Sequence, residues 1–167
     1  MYMYACTTGI KVFCLALANG FLWAWHVYRG KDDPLRGKDY VYNLIYKTLL
    51  KDAKWDNRGC VMFCDAYFTS TKLFRDLWNN RGIGAVGPIN ASKPTKGGGA
   101  TSWPIQNFKK SDSKYLPRGW DKAAFTPLQR GGYMQAPTWL DNKFVKLLST
   151  TYVTSAKMTV LRYDVCM

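Results

Sequence analysis

The sequence predicts an α/β fold with a mixed sheet and flanking helices. Three observations carry this. Asn19-Gly20 stands between two apolar runs, the strongest short-range sign of a β-hairpin. Two further apolar runs, residues 60–64 and 83–86, are too short for helices, and a segment with helical spacing lies between them. The 167 residues are 47% apolar and 21% charged, enough for one domain with a core of its own.

In chain order, strands are expected at about 10–17 and 21–28, joined by Asn19-Gly20, whose two residues both tolerate positive φ. A polar stretch then leads to a helix over about 39–51. Val41, Leu44, Ile45, Thr48 and Leu49 share one face there, and Asp39 is placed to cap the start. Residues 60–64 read as a buried strand with Asp65 at its carboxyl end. Thr69 or Ser70 caps a second helix, whose apolar stripe is Leu73, Phe74, Leu77 and Trp78. Residues 83–86 form a short strand stopped by Gly87-Pro88. Composition changes at that point. Residues 87–137 are rich in Gly, Pro, Ser and Lys, with eight basic and two acidic side chains, and read as a loosely structured basic insertion. A strand pattern returns at 143–151 and again at 158–163. The expected division is 1–87, core; 88–137, basic aromatic insertion; 138–167, returning strands of the core or of the insertion.

Charge narrows the function. The net charge is +13, a field that favours polyanions, nucleic acid before an anionic membrane surface. All 11 acidic residues are Asp, so any carboxylate that acts as acid, base or metal ligand is an Asp, and Glu-dependent motifs are excluded. One histidine, His26, leaves no conventional zinc site and no His for a Ser or Cys nucleophile; its expected role is structural. The five cysteines are Cys6, Cys14, Cys60, Cys64 and Cys166, an odd number without paired spacing. Cys60 and Cys64 lie roughly 13 Å apart along a strand, too far for one disulfide or one zinc ion. The longest uncharged run, residues 12–28, is 17 residues, short of a membrane span, and Asn19-Gly20 interrupts it. No membrane partner is expected.

Asp65 is the leading site candidate. Ligands gather beyond the carboxyl ends of strands in α/β sheets, and a carboxylate there suits a hard ion such as Mg²⁺. The competing reading is an Asp that caps its own loop. The Gly87 to Lys93 region fails the phosphate-loop pattern, because Ser92 and Pro94 stand where Gly and a hydroxyl residue belong. In the insertion, Lys93, Lys96, Lys109, Lys110, Lys114 and Arg118 interleave with Trp103, Phe108, Tyr115, Trp120, Phe125, Tyr133 and Trp139. That mixture suits backbone contact with base stacking, and it equally suits a solvated loop around a small aromatic core.

Residues 59–87 contain Cys60-Val-Met-Phe-Cys-Asp65-Ala-Tyr-Phe-Thr-Ser70, then Leu73, Leu77, Arg81-Gly82-Ile83 and Ala85-Val86-Gly87. This segment resembles the piggyBac transposase family, with its strand ending in Asp-Asn-Phe/Trp-Phe-Thr-Ser, its helix and its Val-Gly-Thr strand end. Gly9-Ile-Lys-Val-Phe, Val27-Tyr-Arg-Gly-Lys31 and Val145-Lys-Leu-Leu-Ser149 resemble flanking family segments in the same order. Ala66 replaces the usual Asn and Pro88 the usual Thr.

The resemblance implies a partial ribonuclease-H-like sheet interrupted by an insertion, with the first core strand missing and two strand edges left unpaired. It implies an Asp triad binding Mg²⁺ or Mn²⁺, DNA as partner with TTAA targets, a possible homodimer and a nuclear location. Asp65 matches the second triad position. No acidic residue precedes Gly9, and Asp164 does not match the third position. The chain alone is therefore expected to be a catalytically incomplete fragment. The alternatives are a domesticated DNA-binding module without catalysis and an unrelated basic RNA-binding protein.

Overall fold

The computed structural model describes residues 9–89 and 115–151. The chain opens with the hairpin β1 (Val12–Ala16) and β2 (Leu22–Val27). Its loop is longer than the two-residue turn expected. Gly20 N–H donates to the Leu17 carbonyl at 3.0 Å, and Leu17 N–H to the Phe21 carbonyl at 2.9 Å. Gly20 alone of the pair has positive φ, at +86°. Asn19 instead uses its side chain, with Oδ1 accepting the Phe21 N–H at 3.0 Å. A turn closed by a left-handed glycine adds one residue to the loop and shifts the register between Leu15 and Ala16.

Of the expected helix over 39–51, residues 40–49 are helical, and only Tyr40–Tyr42 (α1) are α. Asn43–Leu49 widen into a π-turn, and Leu50 N–H donates to the Ile45 carbonyl at 3.0 Å. Bonds from i to i+5 bring positions five apart onto one face, which keeps Leu44 and Leu49 both buried. Asp39 does not cap the helix. Its φ is +64°, and its carboxylate accepts from Lys72 Nζ at 2.7 Å. That contact holds the Asp39 carboxyl below its ordinary value.

The next unit is strand, helix, strand: β3 (Val61–Phe63), α2 (Thr71–Arg81) and β4 (Gly84–Pro88). Ser70 is the cap, its Oγ accepting the Leu73 N–H at 3.2 Å. Gly82 closes the helix in the left-handed region at φ +60°. Leu73, Phe74 and Leu77 are buried, as the stripe predicts.

Residues 115–137 depart from the loosely structured reading. They hold β5 (Asp121–Pro127) and the start of β6 (Tyr133–Leu140), and β7 (Phe144–Ser149) follows. Five strands form one mixed sheet in the order β3-β4-β7-β6-β5; β3 and β4 are parallel and the other neighbours antiparallel. The loop between β5 and β6 is tied to α2: Trp78 Nε1 donates to the Gly131 carbonyl at 2.9 Å, and Gln129 N–H to Asn79 Oδ1 at 3.1 Å. The expected strand at 158–163 lies outside the described residues.

The core joins Phe13 of the hairpin, Leu44 and Leu49 of the π-turn, Leu73 and Leu77 of α2, and Leu148 of β7. The architecture is a mixed α/β sheet flanked by few helices, compatible with a partial ribonuclease-H-like fold. Among the described residues, β1 pairs only with β2 and β3 only with β4, so each presents a free edge.

Candidate functional site

The carboxyl end of β3 organises the site. Cys64 N–H donates to the Val86 carbonyl at 2.8 Å, extending the β3–β4 pairing to the residue before Asp65. The chain then turns sharply. The Asp65 carbonyl accepts from Phe68 N–H and Thr69 N–H, each at 3.1 Å, and from Thr69 Oγ1 at 2.9 Å. Asp65 Oδ1 accepts the Tyr67 N–H at 2.6 Å. One carboxylate oxygen thus does the loop-capping work of an Asx turn. The half-buried side chain has a second oxygen, Oδ2.

A cleft of about 500 Å³ lies beside this loop. Leu15 and Ala16 of β1 line it on one side and Val61 and Phe63 of β3 on the other, with Leu49, Phe68 and Asp65 also in its wall. β1 and β3, whose outer edges are unpaired among the described residues, therefore flank one largely apolar space. The Cys64 thiol is pushed up to about 12 by burial and by the Asp65 charge, so it is not a thiolate nucleophile near neutral pH.

Aromatic rings crowd the loop from the hairpin side. Phe13, fully buried, stacks on Tyr67 with ring centroids 6.0 Å apart and meets Phe68 edge-on at 5.8 Å. Tyr28 and Tyr40 also contact Phe13, at 6.2 and 6.0 Å. Burial, then Tyr28 and the Asp65 charge, raise the Tyr67 hydroxyl above its ordinary value. Lys11 Nζ lies 4.7, 5.6 and 5.1 Å from the Phe13, Tyr28 and Tyr67 rings.

His26 is structural. Its Nε2 lies 2.9 Å from Asp33 Oδ2, which also takes N–H from Arg29 at 3.2 Å and the Tyr40 hydroxyl at 3.3 Å. Leu35 N–H donates to Asp33 Oδ1 at 2.9 Å. Burial alone would raise the Asp33 carboxyl; the His26 and backbone hydrogen bonds outweigh it and hold it at about 2.

Of the basic candidates, Lys93, Lys96, Lys109, Lys110 and Lys114 lie outside the described residues. Arg118 is exposed and paired, with Nη2 2.7 Å from Asp141 Oδ1. Three described aromatics of the same stretch pack against other rings: Trp120 meets Phe144 at 6.0 Å and Phe125 meets Tyr133 at 6.4 Å. Reading the sequence did not find Lys11, Tyr28 or Tyr67 as a cluster. The hairpin register could have shown half of it, because Lys11 and Phe13 share a face and Tyr28 lies opposite.

β3, α2 and β4 form a β-α-β unit with Asp65 just past the end of its first strand, which places the chain among α/β proteins. The family model described as Transposase IS4 matches residues 2–163, and the chain belongs to that family. No curated protein and no solved structure matches it.

Transposases of the DDE type generally depend on divalent metal ions. Asp65 Oδ2 is a hard oxygen donor of the right kind. Among the described residues, however, no group of three or more His, Cys or Asp side chains could hold a metal ion. Two-ion phosphodiester chemistry needs several carboxylates converging on sites about 4 Å apart. The described residues alone do not fit that requirement. No helix among them is long and apolar enough to cross a membrane.

Proposed function

We propose that this chain is a piggyBac-type, transposase-derived protein that binds DNA and does not cut it unaided. The observation that carries the reading is the position of Asp65. It follows β3 in the motif Asp65-Ala-Tyr-Phe-Thr-Ser70, lines the cleft between β1 and β3, and belongs to no group of three or more metal-ligating side chains among the described residues. In this reading Asp65 is the second member of an Asp triad and a ligand for Mg²⁺ or Mn²⁺ once the other carboxylates are supplied. Residues 1–87 belong to the core, residues 138–167 return as strands of the core or of the insertion, and residues 88–137 form a basic insertion whose Lys93, Lys96, Lys109, Lys110, Lys114 and Arg118 add phosphate contacts. TTAA targets, a homodimer and a nuclear location belong to the same proposal.

The test is cleavage of labelled duplex DNA by the purified chain with Mg²⁺ or Mn²⁺, beside Asp65→Ala. The expected result is salt-dependent binding without cleavage in either protein. Metal-dependent nicking by the wild type that disappears in Asp65→Ala would overturn the inactivity. Affinity unchanged by alanine at Lys93, Lys96, Lys109 and Lys110 would remove the insertion as a binding surface.

A further inference from the structure

We propose that Lys11, held by Phe13, Tyr28 and Tyr67, is a fixed anchor for a DNA backbone phosphate beside Asp65. This rests on the DNA-binding reading above and adds a particular residue to it.

The geometry begins with the hairpin. Tyr28 N–H donates to the Lys11 carbonyl at 2.9 Å, so the two residues face each other just beyond the β1–β2 ladder. Alternation along β1 puts Lys11 and Phe13 on one face. The third ring arrives from elsewhere: Tyr67 sits in the loop after β3 and stacks on Phe13 with an interplanar angle of 6°. The ammonium lies within 5.6 Å of three ring centroids at once. Contact at that range attracts a cation to each ring face.

Two features set Lys11 apart from the cations that are paired with an Asp. Lys72, Arg81 and Arg118 are neutralised by Asp39, Asp56 and Asp141. Lys11 is exposed, and among the described residues it has rings for partners and no carboxylate. A lysine on a solvated surface is mobile and loses side-chain entropy on binding a phosphate; this one is already held by ring contacts. The second feature is its neighbour. Tyr67 both faces Lys11 and donates its N–H to Asp65 Oδ1, so one residue fixes the cation and the carboxylate relative to each other. A polyanion laid across the end of β3 meets the Asp65 charge, and a cation held on the ring of Tyr67, in the same loop, offsets that repulsion. DNA and RNA both present phosphodiesters; the family places DNA first.

The experiment measures binding of a fluorescent DNA duplex by the full chain over a range of salt, with single-stranded RNA of the same length as competitor. Lys11→Ala is expected to weaken binding and to lower the slope of log affinity against log salt by about one contact. Lys11→Arg keeps the charge and the ring contacts and is expected to bind as wild type. Tyr67→Ala and Tyr28→Ala change no charge, yet both are expected to weaken binding, because the ammonium is released. Alanine at the exposed Lys51 gives the effect of net charge alone. Thermal melts of every variant separate lost binding from lost folding, and Lys11→Gln, which also removes the charge, carries the same expectation and the same overturning result if Lys11→Ala does not fold. Wild-type affinity and salt slope in a folded Lys11→Ala overturn the anchor, as does a Lys11→Ala effect no larger than that of Lys51→Ala. Preferential displacement by RNA also overturns it. A wild-type chain that binds no duplex at any salt sinks the DNA-binding reading itself, an outcome visible before any variant is made.

Discussion

Gly87→Ala tests how the Asp65 loop is held against the sheet. Gly87 lies in β4, where a Cβ would point at the loop. Built on this backbone, it meets Thr69 Oγ1 at far less than contact distance, the Cys64 carbonyl oxygen at 2.8 Å and Cys64 Cβ at 3.2 Å. Gly87 has no unusual φ, so the need for glycine here is steric. Thr69 is buried, and its hydroxyl is committed to the Asp65 carbonyl at 2.9 Å. Escape by rotating Thr69 gives up that bond, at about 1 kcal/mol, and leaves the Cys64 contact in place. Overpacking of a rigid interior costs about 1–3 kcal/mol more. The expected loss is therefore about 2–4 kcal/mol, or roughly 5–15 °C in Tm for a chain of this size. Urea unfolding followed by circular dichroism measures it. Adding Thr69→Ala to Gly87→Ala should recover part of the loss, since the nearest clashing atom is gone. A Gly87→Ala chain within about 0.5 kcal/mol of wild type, with unchanged denaturant slope, would show that the loop shifts freely and that the sheet does not fix Asp65.

Three further outcomes follow from the contacts. Ser70→Ala removes the side-chain cap of α2 and should cost about 1 kcal/mol, readable as a Tm drop of roughly 2–4 °C, while Ser70→Asp should retain most of the stability. Asp33 has a folded carboxyl near 2 against an ordinary 3.8, so its stabilisation is present above 3.8 and is lost as pH falls through about 2; Asp33→Asn should flatten that acid limb of a stability–pH curve, and an unchanged limb would refute the assignment. Arg81 joins three partners, Nε to Asp56 at 2.7 Å and its two terminal nitrogens to the Leu50 and Ala53 carbonyls at 3.0 and 2.8 Å. Lysine cannot reproduce that fork, so Arg81→Lys should lose about 2–3 kcal/mol in the same unfolding assay.

The features legible in the sequence are those set by near neighbours. Ser70, the stripe Leu73-Phe74-Leu77 and Gly82 define α2 within a dozen residues, and each does what its local chemistry requires. Asn19-Gly20 announced a hairpin, although the details of the loop depended on a side-chain bond from Asn19 that spacing does not encode. Asp39 illustrates the opposite case: its preference for a helix start yields to Lys72, 33 residues away, which takes the carboxylate into an ion pair. β5 and β6 were illegible for a related reason. Ala123, Ala124, Pro127 and Pro137 have low strand propensity, and Gly119 and Gly131-Gly132 precede the two strands, so local composition argues for a loop. Their strand form comes from the ladder with β7 and from the bonds of Trp78 and Asn79 to the connecting loop. Asp65 was legible because a strand end is a local event. The cation beside it was not, because Lys11 and Tyr67 are 56 positions apart and meet only when the hairpin packs Phe13 into the core between them. Local rules thus find the carboxylate, and only tertiary packing decides which charges surround it.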